Sequence, residues 1–363
     1  MGIEEELMVV GAADKRPFAA GGSVVAEAAA GGNVQFEAEF KREQAELGST
    51  PSESIAELGR ELNALRSRMM DAAHRQDAEV VAIASSPFKV RPTLTEGERY
   101  AAMTERFGLL ARQQLTCGQH VHISIDSPAE GVAVLDRIRP WLAVLTAISG
   151  NSPFWHGEDS GYSSYRSVMW SLWPTAGPTD AFGSVEGYER TIRGLLASGA
   201  AMDMGMMYFD ARLSARYPTV EVRVPDVCTD VGDALLIAAL ARALVDTAAA
   251  EWAAGRPPVD VSVGLLRAAA WGASRSGMSD NLVNTATTEA LPAWDLLDLL
   301  VEHVGDALTS NGDATRVVNA IARIKETGTG SEWQRRSYAR RRALIDVVED
   351  ASQRTVGGGS DDV

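Results

Sequence analysis

Three short runs of this chain set pairs of reactive side chains two residues apart, the spacing that puts both on one face of a β-strand. In Gly2-Ile3-Glu4-Glu5-Glu6-Leu7 the pair is Glu4 and Glu6, about 7 Å apart along an extended backbone, with Glu5 on the opposite face. Carboxylates that close call for a counter-cation, and hard cations such as Mg²⁺ take carboxylate oxygens and bridge them to phosphates. In Gly118-Gln119-His120-Val121-His122-Ile123 two imidazoles share a face and apolar residues fill the other; imidazoles in an apolar strand need partners. In Thr219-Val220-Glu221-Val222-Arg223-Val224 a carboxylate stands beside a guanidinium, with valines opposite. Each run alone has a plain alternative: a solvated edge strand, histidines satisfied by backbone or water, a cross-strand salt bridge. Three such pairs, all of types that suit metal and phosphate, make coincidence the weaker account.

A fourth group, Glu37, Glu39 and Glu46, lies in a second extended segment, where Lys41 and Arg42 dilute the acidic signal and a surface hairpin competes; Glu39 and Glu46 are favoured as added ligands. The turn-rich loop from Asn151 to Ser167 carries Arg166, a candidate for holding a substrate carboxylate, while Trp155, Tyr162, Trp170 and Trp173 read as packing. No GxxxxGK[ST], GxSxG or HExxH motif occurs, so phosphates are not held by a P-loop.

The elements that must position these groups alternate between β and α. Residues 2 to 10 and 33 to 48 read as extended. The run Ser49-Thr50-Pro51-Ser52-Glu53-Ser54 supplies cap chemistry for a helix reaching about Gln76. A β-branched strand covers Glu79 to Ala84, helical periodicity covers 96 to 115, and Gly118 to Ile125 alternates again. A helix over Ala129 to Ile148 precedes an irregular stretch from Ser149 to Pro178. After a helix near 184 to 198 come strands around Tyr208 to Leu213 and Thr219 to Val224, and from Asp230 onward nearly everything reads as helix. This order predicts an α+β fold, with sheet-forming residues 1–228 and helical residues 229–355 in one catalytic domain. Residues 356–363 read as a flexible tail.

Composition sets the limits. With 363 residues, 45% hydrophobic and 23% charged, the chain can bury a large core. Its 34 basic and 49 acidic residues leave a net charge of −15, so neither nucleic acid nor an anionic membrane is an expected partner. Two cysteines, Cys117 and Cys228, offer neither a disulfide framework nor a thiolate zinc site, and the N-terminus lacks the regions of a signal peptide; a cytoplasmic location is expected.

The runs GIEEEL, CGQHVHISI, SGNSPFWHGEDSGYSSYRS through WPTAGP, and TVEVRVPD together resemble the bacterial carboxylate-amine ligase family, also called glutamate-cysteine ligase type 2. The match runs through most of residues 2 to 230 and is looser beyond, in GTGSEWQRR. That family is similar in turn to glutamine synthetase. The resemblance implies a curved, mainly antiparallel sheet, a half-barrel with helices outside and a helical C-terminal layer. Its concave face would hold ATP and Mg²⁺, or Mn²⁺ in its place. It implies Glu4, Glu6, Glu39, Glu46, His120 and Glu221 as metal ligands, His122 and Arg223 beside the nucleotide, Arg223 at the transferred phosphate, and Arg166 at the carboxylate of the acid. The sequence after Glu46 departs from the family pattern. The implied reaction joins a small acid such as glutamate to cysteine or another amine through an acyl phosphate, in a chain that could pair as a homodimer. A kinase or protein-modifying ligase on the same sheet, and a regulator without turnover, are the alternatives.

Overall fold

The structure, a computed structural model, describes residues 1–30, 32 and 35–357. Its elements run β1 (Gly2–Gly11), α1 (Gly21–Ala28), β2 (Phe36–Ala38), β3 (Gln44–Gly48), α2 (Ile55–His74), β4 (Ala78–Val81), α3 (Glu98–Phe107), α4 (Leu109–Gln113) and β5 (Gln119–Ser124). There follow α5 (Pro128–Ile138), α6 (Leu142–Ile148), a small hairpin of β6 (Phe154–Trp155) and β7 (Glu158–Asp159), α7 (Tyr165–Trp170), α8 (Val185–Ser198), β8 (Ala211–Leu213) and β9 (Thr219–Val222). The remainder is α9 (Val231–Ala253), α10 (Val263–Ser276), the hairpin β10 (Asn281–Asn284) and β11 (Glu289–Pro292), α11 (Ala293–His303), α12 (Gly305–Ser310), α13 (Ala314–Thr327), α14 (Gly330–Arg341) and α15 (Leu344–Gly357).

The main sheet is open and antiparallel, in the order β2-β3-β1-β5-β9-β8, with β4 paired to the far end of β1. Alternation decides what each face carries. Ile3, Leu7, Val121, Ile123, Val220 and Val222 are buried on the outer face, against a helical layer in which α9 touches α2, α5 and β5. Helix α9 is apolar on nearly every side, burying Leu235, Leu236, Ile237, Leu240 and Leu244, as an internal helix must be. Ser54 caps α2 by accepting the Glu57 N–H, which places that helix as its cap sequence predicts.

Glu5 also points into the outer layer. Its carboxylate accepts two 2.7 Å bonds from Arg66 of α2, and Arg66 donates as well to the carbonyls of Cys228, Thr229 and Thr355. Both side chains are wholly shielded from solvent. One guanidinium thereby ties β1, α2, the start of the helical half and α15 together. Removing one partner of a buried pair strands the other charge, so Arg66→Met is expected to cost about 3–5 kcal/mol. Chemical denaturation checks this, and a loss below about 1 kcal/mol would place the pair among ordinary surface bridges.

Several boundaries differ from expectation for identifiable reasons. The helix expected over 129 to 148 is two helices, because Pro140 lacks an N–H and forces a 3₁₀ turn over Arg139–Trp141. The periodic stretch 96 to 115 breaks at Gly108, which takes φ +57°. The 79 to 84 strand stops pairing at Val81, after which the Ala82 N–H is taken by the Thr355 hydroxyl. The irregular segment after Ser149 contains α7, capped by Ser164, so Arg166 stands on a helix rather than in a loop. The C-terminal part is not all helix, since β10 and β11 interrupt it. Val356 and Gly357 still belong to α15; the rest of the expected tail, residues 358–363, lies outside the described residues. Among the described residues no helix is long and apolar enough to cross a membrane.

Candidate active site

Pairing register brings the three polar pairs into one row. Glu4 lies opposite His120, His122 opposite Glu221, Glu6 opposite Glu46, and Arg212 of β8 opposite Glu221. All face a cavity of about 570 Å³ on the side of the sheet away from α9.

Two groups of ligands form there. In the first, oxygen or nitrogen atoms of Glu4, His120 and Glu221 all lie within 4.8 Å of one another. His120 Nδ1 is 3.4 Å from Glu4 and 4.0 Å from Glu221, and His122 Nε2 is 3.2 Å from Glu4. His122 Nδ1 meets the Thr219 hydroxyl at 3.0 Å. Burial opposes ionisation of Glu4, but hydrogen bonds and charge from His120 and His122 outweigh it and hold the carboxyl well below its usual range. Glu221 is likewise held low: against its burial stand Arg223 and Arg212, Arg212 through bonds of 2.7 and 3.1 Å and Arg223 through a short contact. Burial, with Arg223 nearby, pushes His120 down to about 4, so the imidazole is neutral and available as a ligand.

The second group is Glu6, Glu39 and Glu46, whose oxygens again lie within 4.8 Å. Glu6 accepts the Gly118 N–H at 2.6 Å, and Glu39 the N–H of Phe40 at 3.1 Å. Burial and the neighbouring Glu39 push Glu6 up to about 7, and the same causes raise Glu46 well above its ordinary value. Three converging carboxylates, of which Glu6 and Glu46 resist ionising, are a donor set that suits a divalent cation. Both groups therefore fit Mg²⁺ or Mn²⁺ in the chemistry of their donors.

The sign of the pH dependence follows. Glu6 and Glu46 are acids raised above their ordinary 4.5, so ionising them costs stability increasingly as pH climbs toward and past 7. A cation relieves that cost only where they are ionised. Without metal, the melting midpoint is expected to rise on acidification from about pH 8 to about pH 6.5, below which His120, held neutral down to about 4, begins to offset the gain. Below the ordinary carboxylate range, protonation of the depressed Glu4 and Glu221 reverses the trend. The added stability from Mg²⁺ is expected to be larger at about pH 8 than at about pH 6; a shift in scanning fluorimetry that is the same at both would count against cation binding here.

Arg166 is placed elsewhere. Its guanidinium donates to the carbonyls of Arg223 and Val224 at 3.2 Å and approaches Asp226 at 3.7 Å. It presses on Gly118, where a Cβ would come within 2.2 Å of its Nη2. It lines a smaller, neighbouring cavity and not the larger one. Arg223 lines both, as do Trp170 and Tyr208, whose rings pack 4.7 Å apart. Arg212 was not among the sequence candidates, although Asp210 and Arg212 carry the same two-residue spacing that marked the others.

The family profile described as Glutamate-cysteine ligase family 2 matches residues 1–353. The chain belongs to that family. A Streptomyces coelicolor member, provisionally named glutamate–cysteine ligase 2, is 46% identical over 357 residues, covering 98% of each chain. Membership in the glutamate–cysteine ligase family makes this chain an ATP-dependent ligase of the carboxylate–amine class. Among solved structures, the glutamate–cysteine ligase of Francisella tularensis in complex with AMP superposes with a TM-score of 0.70 at 14% identity, covering 98% of this chain and 88% of its own. The ligase of prokaryotic ubiquitin-like protein, solved with that protein, does so with a TM-score of 0.54 at 13% identity, covering 98% and 72%. At such identities the two likenesses establish the fold, the open antiparallel sheet of the glutamine-synthetase type.

Proposed function

We propose that this chain joins the side-chain carboxylate of glutamate, or of a similar small acid, to cysteine or another small amine, releasing ADP and phosphate. The observation that carries the reading is the convergence of six ligand side chains in two groups, with Arg223 and Arg212 beside them, on one face of the sheet. Glu4, His120 and Glu221 would hold one divalent cation and Glu6, Glu39 and Glu46 another, and such cations offset the charge of a triphosphate and polarise its terminal phosphorus.

A carboxylate is a poor electrophile until it is activated. In the first step a carboxylate oxygen of the acid bonds to the γ-phosphorus as the bond to the β-phosphate oxygen breaks, and ADP leaves. In the second the amine nitrogen bonds to the acyl carbon, the carbon–oxygen bond to phosphate breaks, and the amine gives up a proton. No protein nucleophile is needed. Arg223 sits where a guanidinium can stabilise the phosphoryl group in transfer, and Arg212 holds Glu221 in place for it. His122, anchored by Thr219 and edge-on to Tyr217 at 6.1 Å between ring centres, would be the imidazole that meets the nucleotide. Arg166, bonded to the backbone at Arg223 and Val224, acts as a positioning residue for Arg223 rather than as a contact in the larger cavity.

The test is ADP release with ATP, Mg²⁺, glutamate and a panel of amines including cysteine. Release that needs both acid and amine is the expected result. Release with acid but without amine would make the protein a kinase, and release only with a protein acceptor would make it a protein-modifying ligase; either overturns the small-amine reading.

A further inference from the structure

The run GTGSEWQRR, Gly328 to Arg336, where the family resemblance loosens, opens α14 and lines neither of the two cavities. Its start is fixed by a capping box, in which Glu332 accepts the Thr329 N–H at 2.8 Å. Ser331, Gln334 and Arg335 then fall on one face of the helix, and all three grip the segment that leads to Arg166. The Ser331 N–H donates to the Gly150 carbonyl at 2.8 Å. The Gln334 amide donates to the carbonyl and the side-chain oxygen of Asn151 at 2.8 and 2.7 Å, across 183 residues of chain. Arg335 forks onto Asp159 with two 2.8 Å bonds and reaches the Tyr162 carbonyl as well. Gly330 permits the close approach, since a Cβ there would come within 2.3 Å of Asn151 Oδ1.

From Asn151 the bonds run on toward the reactive face. The Asn151 N–H and the Ser152 hydroxyl both donate to Asp226, at 2.8 and 2.7 Å, and the Ser152 hydroxyl accepts the Arg166 N–H at 3.0 Å. Asp226 faces the Arg166 guanidinium at 3.7 Å, which in turn holds the Arg223 carbonyl at 3.2 Å. Gln334, Asn151, Ser152, Asp226 and Arg166 are each at most 3% exposed. Solvent therefore cannot stand in for a lost bond, and a shift at one end is passed through close-packed neighbours to the other.

We propose that Gln334 is a positioning residue for phosphoryl transfer, setting the place of the Arg223 guanidinium through Asn151, Asp226 and Arg166. The proposal rests on the role of Arg223 proposed above and extends it to a helix outside both cavities. None of Gln334, Asn151, Ser152, Asp226 and Arg166 belongs to either ligand group, so cations and nucleotide keep their places when the linkage is cut.

The experiment compares Gln334→Met with Ser337→Ala. The first removes both amide donors at similar side-chain length, and the Asn151 carbonyl still accepts the Ala84 N–H at 3.2 Å, so a folded chain is expected. The second loosens the same helix against α15, where the Ser337 hydroxyl bonds Asp350 at 2.5 Å and the Asp346 carbonyl at 3.2 Å, away from Asn151. Trp170 reports on the arginines, because the guanidinium carbons of Arg166 and Arg223 stand 5.8 and 6.0 Å from its ring. With fluorotryptophan in place of tryptophan, its fluorine resonance is assigned by its loss in Trp170→Phe. In Gln334→Met that resonance is expected to shift and kcat to fall about tenfold or more, while the KM for ATP stays within about twofold. In Ser337→Ala the melting midpoint is expected to drop with the resonance and kcat unchanged. An unmoved Trp170 resonance or an unchanged kcat in Gln334→Met, or an equal loss of kcat in Ser337→Ala, overturns the proposal. A wild type that releases ADP with no pair of acid and amine strikes the proposed reaction instead, and the Trp170 resonance still decides whether Gln334 acts on the two arginines.

Discussion

Replacing Glu4 by alanine is expected to lower Mg²⁺-dependent ATP turnover by on the order of a thousandfold while leaving a folded chain. Glu4 stands at the centre of the first ligand group, within reach of both histidines. Its side chain keeps 30% of its exposure, and its partner His120 is a neutral imidazole with a pKa near 4, so truncation strands no buried charge. Glu221 is a harsher test of the same group. Alanine there should abolish turnover too, but it also leaves Arg212 and Arg223 facing each other without their shared carboxylate, and lost stability would accompany lost activity. Melting midpoints beside ADP-release rates separate the two effects. Full activity in Glu4→Ala over a titration of Mg²⁺ would remove this carboxylate from the ligand set.

The strand pairs were legible because side chains on a strand alternate with an invariant period of two. That rule alone put Glu4 with Glu6, His120 with His122 and Glu221 with Arg223, and turned Glu5 away from them. Their meeting in one row depends on register between strands about a hundred residues apart, which local pattern does not encode; the family resemblance supplied it. Glu39 and Glu46 illustrate the same limit, since their segment reads equally as a surface hairpin until Glu46 is found across from Glu6. Arg166 was drawn to a loop because α7 has only six residues, too few for a helical period to show. The hairpin of β10 and β11 escaped because its turn bears neither Asn-Gly nor Asp-Gly, and Thr288 takes the left-handed conformation instead, with φ +64°.

Arg223→Lys is expected to lower kcat by about a hundredfold or more with little change in the KM for ATP. The substitution keeps a positive charge near Glu221 yet loses the planar fork that can hold Glu221 and meet a phosphoryl oxygen together. Arg212 retains its own two bonds to Glu221, so the ligand group survives and the defect falls on the transfer step. Separate determination of kcat and KM checks this. A lysine variant with unchanged kcat and a raised KM for ATP would make Arg223 a ground-state binding group instead.

The buried bond between Glu5 and Arg66 also bears on how the chain selects its pairing as it folds. Sliding the first strand by one residue against its neighbours would turn Glu5 into the cavity and drive Glu4 and Glu6 among the helices. Whichever way the strand slid, one of those two acids would take the place of Glu5 beside Arg66, and the other would be enclosed unpaired in hydrocarbon where Ile3 or Leu7 now packs. The misaligned arrangement is penalised on both faces of the sheet at once, by an orphaned acid among the helices and an apolar side chain in the acidic row, so the apolar residues that bracket the three glutamates hold the alignment on which the reactive face depends.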